Sequence, residues 1–436
     1  MEKLSPKAQK SEPMKMTFKI WLIVILLNLI AKIGWSIENT WFTAFVYAEI
    51  AYDVNITSWM VAVSAVASTV TTLIFGTLSD RWGKRKPLIV WGFISWGLVT
   101  FVFAFGSQLS NLVIAGIFCV IMDGIMSGIG SIGSDAGYMA WTTDISNKNN
   151  RATLGAWLGV MPLLSAMVVA VIAGVVVDKL GYFALFAIVG GIVTLFGILS
   201  IFLVKESPTL APQKRGSFWK QLVEVFDFKS LIKNKALFMV LIAYAYYFVV
   251  FDAWMPYATV YMVNNLGFTA TEASLVQGVG ILISVLVTFP FTKLIKKDKS
   301  IVVLIIVTVM SVVGCILTGM AENVSEVWFM ILSSVILLGG YVGMEQTCVA
   351  WMKNLFPEEA RGQYEGIRML FYVALPMVFG SMLANVLITN FGAQMGGGVI
   401  INSTVYYILA GMNVLIIVPS LLADKFVKKN NKQESK

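Results

Sequence analysis

The chain has 436 residues, of which 58% are hydrophobic and 13% charged, with a net charge of +8 and no histidine. Soluble domains carry roughly a quarter charged residues, so this much apolar surface excludes an ordinary soluble fold and makes lipid the remaining solvent. The lack of histidine sets aside histidine-ligated zinc and histidine proton relays, and the placement of the bases, below, argues against a nucleic-acid partner.

A helix that crosses the hydrocarbon layer needs roughly 20 apolar residues. Twelve such runs are predicted. A basic polar tail over 1–17 precedes the first, Phe18–Tyr47, which reads as a span and not as a cleaved signal peptide. Next come Ser58–Leu78, Leu88–Phe105, Leu112–Thr142, Leu154–Val176 and Tyr182–Val204. A polar stretch over 205–235 follows, then Ala236–Val263, Ala273–Leu294, Ile301–Met320, Val327–Leu355, Tyr364–Leu387 and Val405–Val427, with a tail over 428–436. The runs at 18–47 and 112–142 are overlong and carry polar residues, so tilted or broken helices are expected there. Cys119, Cys315 and Cys348 fall inside runs and read as small packing residues, with no disulfide or metal site implied.

Taking the loops alternately from the N-terminal tail, one side collects 30 of the 32 bases. Lys179 is alone on the other side, and Lys32 lies within the first run. By the positive-inside rule both termini and the 205–235 loop are cytoplasmic, and the protein is expected in the plasma (cytoplasmic) membrane. The basic face suits anionic lipid.

The long loop near the middle suggests two halves, 18–204 and 236–427. A shift of 210 residues lays GSIGSDAGYMAW (130–141) over GYVGMEQTCVAW (340–351), so that Asp135 meets Glu345 and Trp141 meets Trp351. A shift of 213 lays Asn39 over Asp252 and Trp41 over Trp254. The expected fold is all-α: twelve transmembrane helices in two pseudo-symmetric six-helix bundles, a layout used by secondary transporters.

Between the second and third runs stands GTLSDRWGKRKP (76–87). It resembles the loop 2–3 signature of the major facilitator superfamily at Gly76, Leu78, Asp80, Arg81, Gly83, Lys84, Arg85 and Lys86. FPEEARGQYEG (356–366) resembles the family's loop 10–11. The resemblance implies a cytoplasmic gate: Asp80 against the start of the eleventh helix, where unpaired N–H groups favour an anion, and Arg81 and its neighbours paired across the halves with acids such as Asp144, Glu358 and Glu359. Arg85, Arg151 and Arg361 belong to the same gate. Gly76 and Gly83 would permit close packing and a sharp turn. The DRWGKRKP run is also similar to the glycoside–pentoside–hexuronide cation symporters and sucrose-type symporters, while ENTWF (38–42) matches no sugar-binding motif of that branch. The helix-five glycines of drug antiporters are missing around Pro162.

Charges near the bilayer centre cost at least roughly 2.5 kcal/mol each and usually face a cavity. At about 100° per residue, Asn28, Lys32, Trp35 and Asn39 share one face of the first helix, with Glu38 beside it. Asp123, Ser127 and Tyr138 share a face of the fourth, with Asp135 at its edge, and a Lys32–Asp123 pair is one expectation. In the seventh helix Asp252 precedes Pro256 by four residues, a spacing that breaks the helix beside the acid, with Trp254 and Tyr257 nearby. Asn28, Lys32, Trp35, Asn39, Asp123, Ser127, Tyr138, Trp254 and Tyr257 are therefore the expected substrate-cavity residues. Asp252, Glu38, Glu345 and Asp135 are the candidates to bind a coupling proton or sodium ion; each could instead lock helices together.

These features point to a monomeric secondary transporter with alternating access, taking up a sugar or glycoside with H+ or Na+, without cofactor or metal. A proton-driven exporter of amphiphiles and a non-transporting receptor on the same frame remain alternatives. No nucleotide loop, metal spacing or nucleophile motif supports an enzyme.

Overall fold

The computed structural model of the chain describes residues 16–146, 150–208, 210–212, 216–219, 228–324, 326–356 and 367–434. Eleven apolar helices among them are long enough to span a bilayer. They are α1 (Phe18–Glu49), α2 (Val54–Trp82), α3 (Lys86–Gln108), α4 (Leu112–Ile145), a long helix Arg151–Leu203, α7 (Lys235–Asn265), α8 (Ala270–Ile295), α9 (Ser300–Glu322), α10 (Val327–Leu355), α11 (Ile367–Phe391) and α12 (Ser403–Lys429). The long helix breaks at Gly181 (φ 81°, ψ 172°), a conformation that favours glycine. Its arms, 151–180 (α5) and 182–203 (α6), are separate crossings, which gives the twelve that hydropathy predicts.

Side-chain caps set several starts. Asp53, Asn111, Asn234 and Asn402 each accept a backbone N–H of the first turn of α2, α4, α7 and α12. At α8, Thr269 and Glu272 form a capping box. Both overlong helices contain π-helical stretches, Glu38–Phe42 in α1 and Ile132–Met139 in α4. A π turn inserts a residue and re-aims the side chains around it, often at functional sites. α7 is interrupted as Pro256 predicts: its first segment ends at Asp252, and a short 3-10 turn spans Met255–Tyr257.

In the first half α1 and α3 pack on the α5–α6 pair, and α2 on α4. In the second, α9 lies against α10 and α12, and α7 against α11 and α12. The halves meet through α2 with α11 and α5 with α8. At the second seam backbones approach at Gly174 and Gly278, where an added methyl would collide with Ala270 and Ala170. Exposed Val113, Ile117 and Ile121 on α4, and Leu195, Ile198 and Phe202 on α6, suit a lipid-facing surface. A two-stranded hairpin, β1 (Ala393–Met395) and β2 (Gly398–Ile400), joins α11 to α12.

The signature glycines divide. Gly83 closes α2 with φ 65°, and a methyl there would also strike Pro212 of the central segment. Gly76 has open space around it, so close packing does not explain it. Gly83→Ala is therefore expected to cost about 1–2 kcal/mol or more, seen as a lower melting temperature of the purified protein, while Gly76→Ala leaves that temperature nearly unchanged.

Candidate functional site

The charges inside the first half fall into two groups. Lys32 of α1 acts on Asp135 of the α4 π stretch, which has Ser131 and Ser134 beside it. Trp35 donates its indole N–H to Ser134 Oγ at 3.2 Å and lies 5.1 Å from Trp96. Lys32, Trp35 and Asp135 are half-buried and Asn39 is exposed, so this face stays partly open. The second group is closed. Ser127 donates to Glu38 Oε1 at 2.5 Å, and Asp123, one turn from Ser127 on α4, is the group on which Glu38 acts. Glu38 and Asp123 are 7% and 3% exposed. Asp123 thus stands beside Glu38, and the cation of α1 serves Asp135, in place of the Lys32–Asp123 pair expected.

Three other residues read from sequence as cavity wall are packed away. Tyr138 donates to the Val24 carbonyl at 2.7 Å and ties α4 to α1. Asn28 is 2% exposed. Trp254 is buried against Phe251 and Tyr406.

In the second half, the Tyr244 hydroxyl of α7 donates to Glu345 Oε2 of α10, and Arg368 of α11 approaches the same hydroxyl at 3.5 Å. The Arg368 guanidinium lies 5.7 Å from the Tyr372 ring centre, and Tyr372 stacks on Tyr244 at 5.4 Å. Phe251 and Tyr341 stack at 4.6 Å alongside. Asp252, at the break in α7, is crossed by α11 at Gly380, where a methyl would touch the Asp252 side chain. No hydrogen bond or ion pair to Asp252 occurs among the described residues.

The basic loop is held by its own half and by the central segment that follows it. Arg85 is 6% exposed; its Nη2 meets Asp80 Oδ1 at 2.6 Å, its Nε meets Asp144 Oδ2 at 2.8 Å, and its Nη1 donates to Ser79. Burial opposes the Arg85 charge, but Asp144 and Asp80 outweigh it and hold the guanidinium above its usual range. Asp144 belongs to α4, so this pair does not cross between the halves. Glu206 caps α3: it accepts from the backbone N–H of Arg85 (3.0 and 3.1 Å) and of Lys86 (2.9 Å). Trp141 donates to the Lys205 carbonyl at 2.7 Å, and Arg81 to the Gly216 carbonyl at 3.0 Å. Glu358, Glu359, Arg361 and the start of the eleventh helix lie outside the described residues, as does the side chain of Arg151, which begins α5.

Hydrogen bonds between the halves gather at the opposite end. The Tyr257 hydroxyl meets Thr57 and Ser58 at 3.1 and 3.2 Å, so Tyr257 seals this seam. Asp178 at the end of α5 accepts from the N–H groups of Ala270 (3.1 Å) and Thr271 (2.8 Å) at the start of α8. Asn385 donates to Asn55 at 2.8 Å, and Val399 of the hairpin to the Tyr52 carbonyl at 3.1 Å.

A two-half helical frame with charges buried within its apolar helices is a transporter architecture, and the family model described as Major Facilitator Superfamily matches residues 24–350. The chain belongs to the major facilitator superfamily. The inner membrane transport protein YajR of Escherichia coli (strain K12) is 32% identical over 169 residues, 38% of this chain; the chain spans about a third (35%) of that relative's length. Among solved structures, the nucleoside transporter NupG superposes with a TM-score of 0.69 at 13% identity, covering 94% of this chain and 100% of that one. The xylose transporter XylE from E. coli, in a partially occluded inward-open conformation, gives 0.65 at 14% identity, covering 92% and 97%. At such identity these likenesses show the fold alone.

Sequence reasoning missed three participants. The sequence reading singles out neither Glu206 nor Asp178, although each carboxylate accepts from the unpaired N–H groups of a helix start. Arg368 was counted among loop bases. Removing Arg85 strands Asp80 and Asp144, so Arg85→Ala should cost about 3 kcal/mol, the low end for a buried pair because both acids are partly exposed. Asp252 has no partner to lose, so Asp252→Leu should raise stability by on the order of 1–2 kcal/mol. Thermal unfolding of the two purified variants checks both signs.

Proposed function

We propose that this transporter takes up a small polar solute, a sugar or glycoside by preference, in symport with H+ or Na+, by alternating access from a membrane in which the basic end is cytoplasmic. The observation that carries the reading is the partly open face in each half that combines charge with aromatic rings. Lys32, Trp35, Asn39 and Asp135 supply it in the first half; Glu345, Arg368 and Tyr372 supply it in the second, with Tyr244 buried behind them. Charged and amide groups suit hydroxyls, and flat rings suit the C–H face of a sugar. The likeness of DRWGKRKP to the glycoside–pentoside–hexuronide branch supports the same solute class.

Coupling needs an acid whose charge changes as the site changes sides. Asp252 is suited to this: it lies at a helix break and has no hydrogen bond or ion pair among the described residues. Reconstituted in liposomes, the protein should give currents with one or more sugars or nucleosides that depend on a proton or sodium gradient. Asp252→Asn should abolish uphill uptake and leave exchange of solute across an equilibrated membrane largely intact. Currents from lipophilic cations with silence across the sugars would overturn the solute class and favour export of amphiphiles. Loss of both activities with normal membrane insertion would remove Asp252 from coupling.

A further inference from the structure

We propose that Glu38 and Asp123 form a closed two-carboxyl site inside the first half that holds one exchangeable proton, apart from Asp252 in the second half. The site rests on three observations. First, both acids are buried beyond nine-tenths, and Ser127, one turn from Asp123 on α4, donates to Glu38 Oε1 and so brings Glu38 to the face that carries Asp123. Second, Glu38 Oε2 and Asp123 Oδ1 are buried without any hydrogen-bond partner. Third, no cation is at hand among the described residues. The charged residues of the first half between its two ends are Lys32, Glu38, Asp123 and Asp135, and the one base acts on Asp135.

The surrounding helices offer nothing to offset two negative charges. α2 covers this stretch of α4 with Ile56, Val63, Ala67 and Thr71, which meet Gly116, Gly124 and Gly128. Segments 54–79 of α2, 88–108 of α3, 153–177 of α5 and 182–203 of α6 contain no acid or base. Trp41, one turn along from Glu38, packs against Tyr182, and Cys119, one turn from Asp123, is its remaining titratable neighbour. Two carboxylates this close in a dry site cannot both stay ionised, so a proton resides on one of the four oxygens and the pair carries a single negative charge. A metal ion would need a fuller shell of oxygen ligands, whereas beyond the two carboxylates the described residues here offer the Ser127 hydroxyl, already donating, the Thr71 hydroxyl, which donates to the Gly128 carbonyl, and the apolar Ile56, Val63 and Ala67 of α2. Binding is simple protonation: an O–H bond forms on one carboxylate, with the proton drawn from water at whichever end is open. The π stretch that carries Glu38 supplies a hinge by which the acid could reach that water. The role of this proton in coupling rests on the symport reading above; its existence does not.

Infrared difference spectra between mildly alkaline and mildly acidic buffer, recorded on the purified protein in lipid nanodiscs without solute, read the buried protonated carboxyl band directly. Glu38→Gln and Asp123→Asn should each remove one carboxyl's worth of that band. The double variant should remove no more than either single one, and Asp252→Asn should leave this component in place. Ser127→Ala, which keeps both acids, should move the midpoint of its titration. A band unchanged in both single variants, or losses that add in the double variant, would overturn the shared proton. Loss of the band when sodium replaces choline at fixed pH would overturn it in favour of a sodium site. A chain that transports none of the sugars tested would sink the symport reading and leave this measurement intact.

Discussion

Charge inside a lipid-embedded bundle is the constraint around which this structure is arranged. Each half carries one base at depth, Lys32 or Arg368, and each base is engaged: Lys32 with Asp135, and Arg368 with Tyr244 and the Tyr372 ring beside Glu345. What remains is negative. Glu38 with Asp123 in the first half, and Asp252 in the second, have no base of their own. An uncompensated acid in a dry site is costly, and its cost falls when a cation binds. On the proposed symport reading, a cation then has leverage over the conformation of the whole bundle, because whichever state gives it the better site is favoured by the difference in binding energy.

The two ends of the molecule use the same device, a carboxylate on the free N–H groups of a helix start. At the basic end Glu206 sits on α3, and Arg85 gathers Asp80 and Asp144 around it, so α2, α3, α4 and the segment after α6 form one stiff plate. At the other end Asp178 reaches from α5 to the start of α8 and so joins the halves. The first contact can persist while the halves move. The second must break if that end is to open. Tyr257, Asn385 and the β1–β2 hairpin are further parts of the same seal.

Much of the architecture was legible in the sequence because hydropathy and base placement follow from the membrane itself. The twelve runs, the break at Pro256, the turn at Gly83 and the irregularity of the two overlong helices all appear in the structure. The 210-residue repeat put Asp135 over Glu345, and both carry a charged neighbour. Pairing between helices was not legible. Helical periodicity fixes which face a residue occupies and leaves its height against a neighbouring helix open, so Lys32 could be matched to the wrong aspartate of α4. Tyr138 lay on the expected face yet bonds to a backbone carbonyl of α1. Glu206 contacts residues about 120 positions away in the chain, a closure that only the fold reveals.

The most direct test of the proposal that cation loading of these acids sets which end is open is a distance across the seam opposite the basic end. Leu180 on α5 and Phe391 on α11 are exposed near that end, and the three native cysteines are buried, so Leu180→Cys and Phe391→Cys can carry spin labels selectively. Double electron–electron resonance in lipid nanodiscs should show a near and a far population whose ratio changes with pH or with sodium, and whose response is blunted in Asp252→Asn and Glu38→Gln. A distance distribution insensitive to both cations in the unmodified acids would contradict the account.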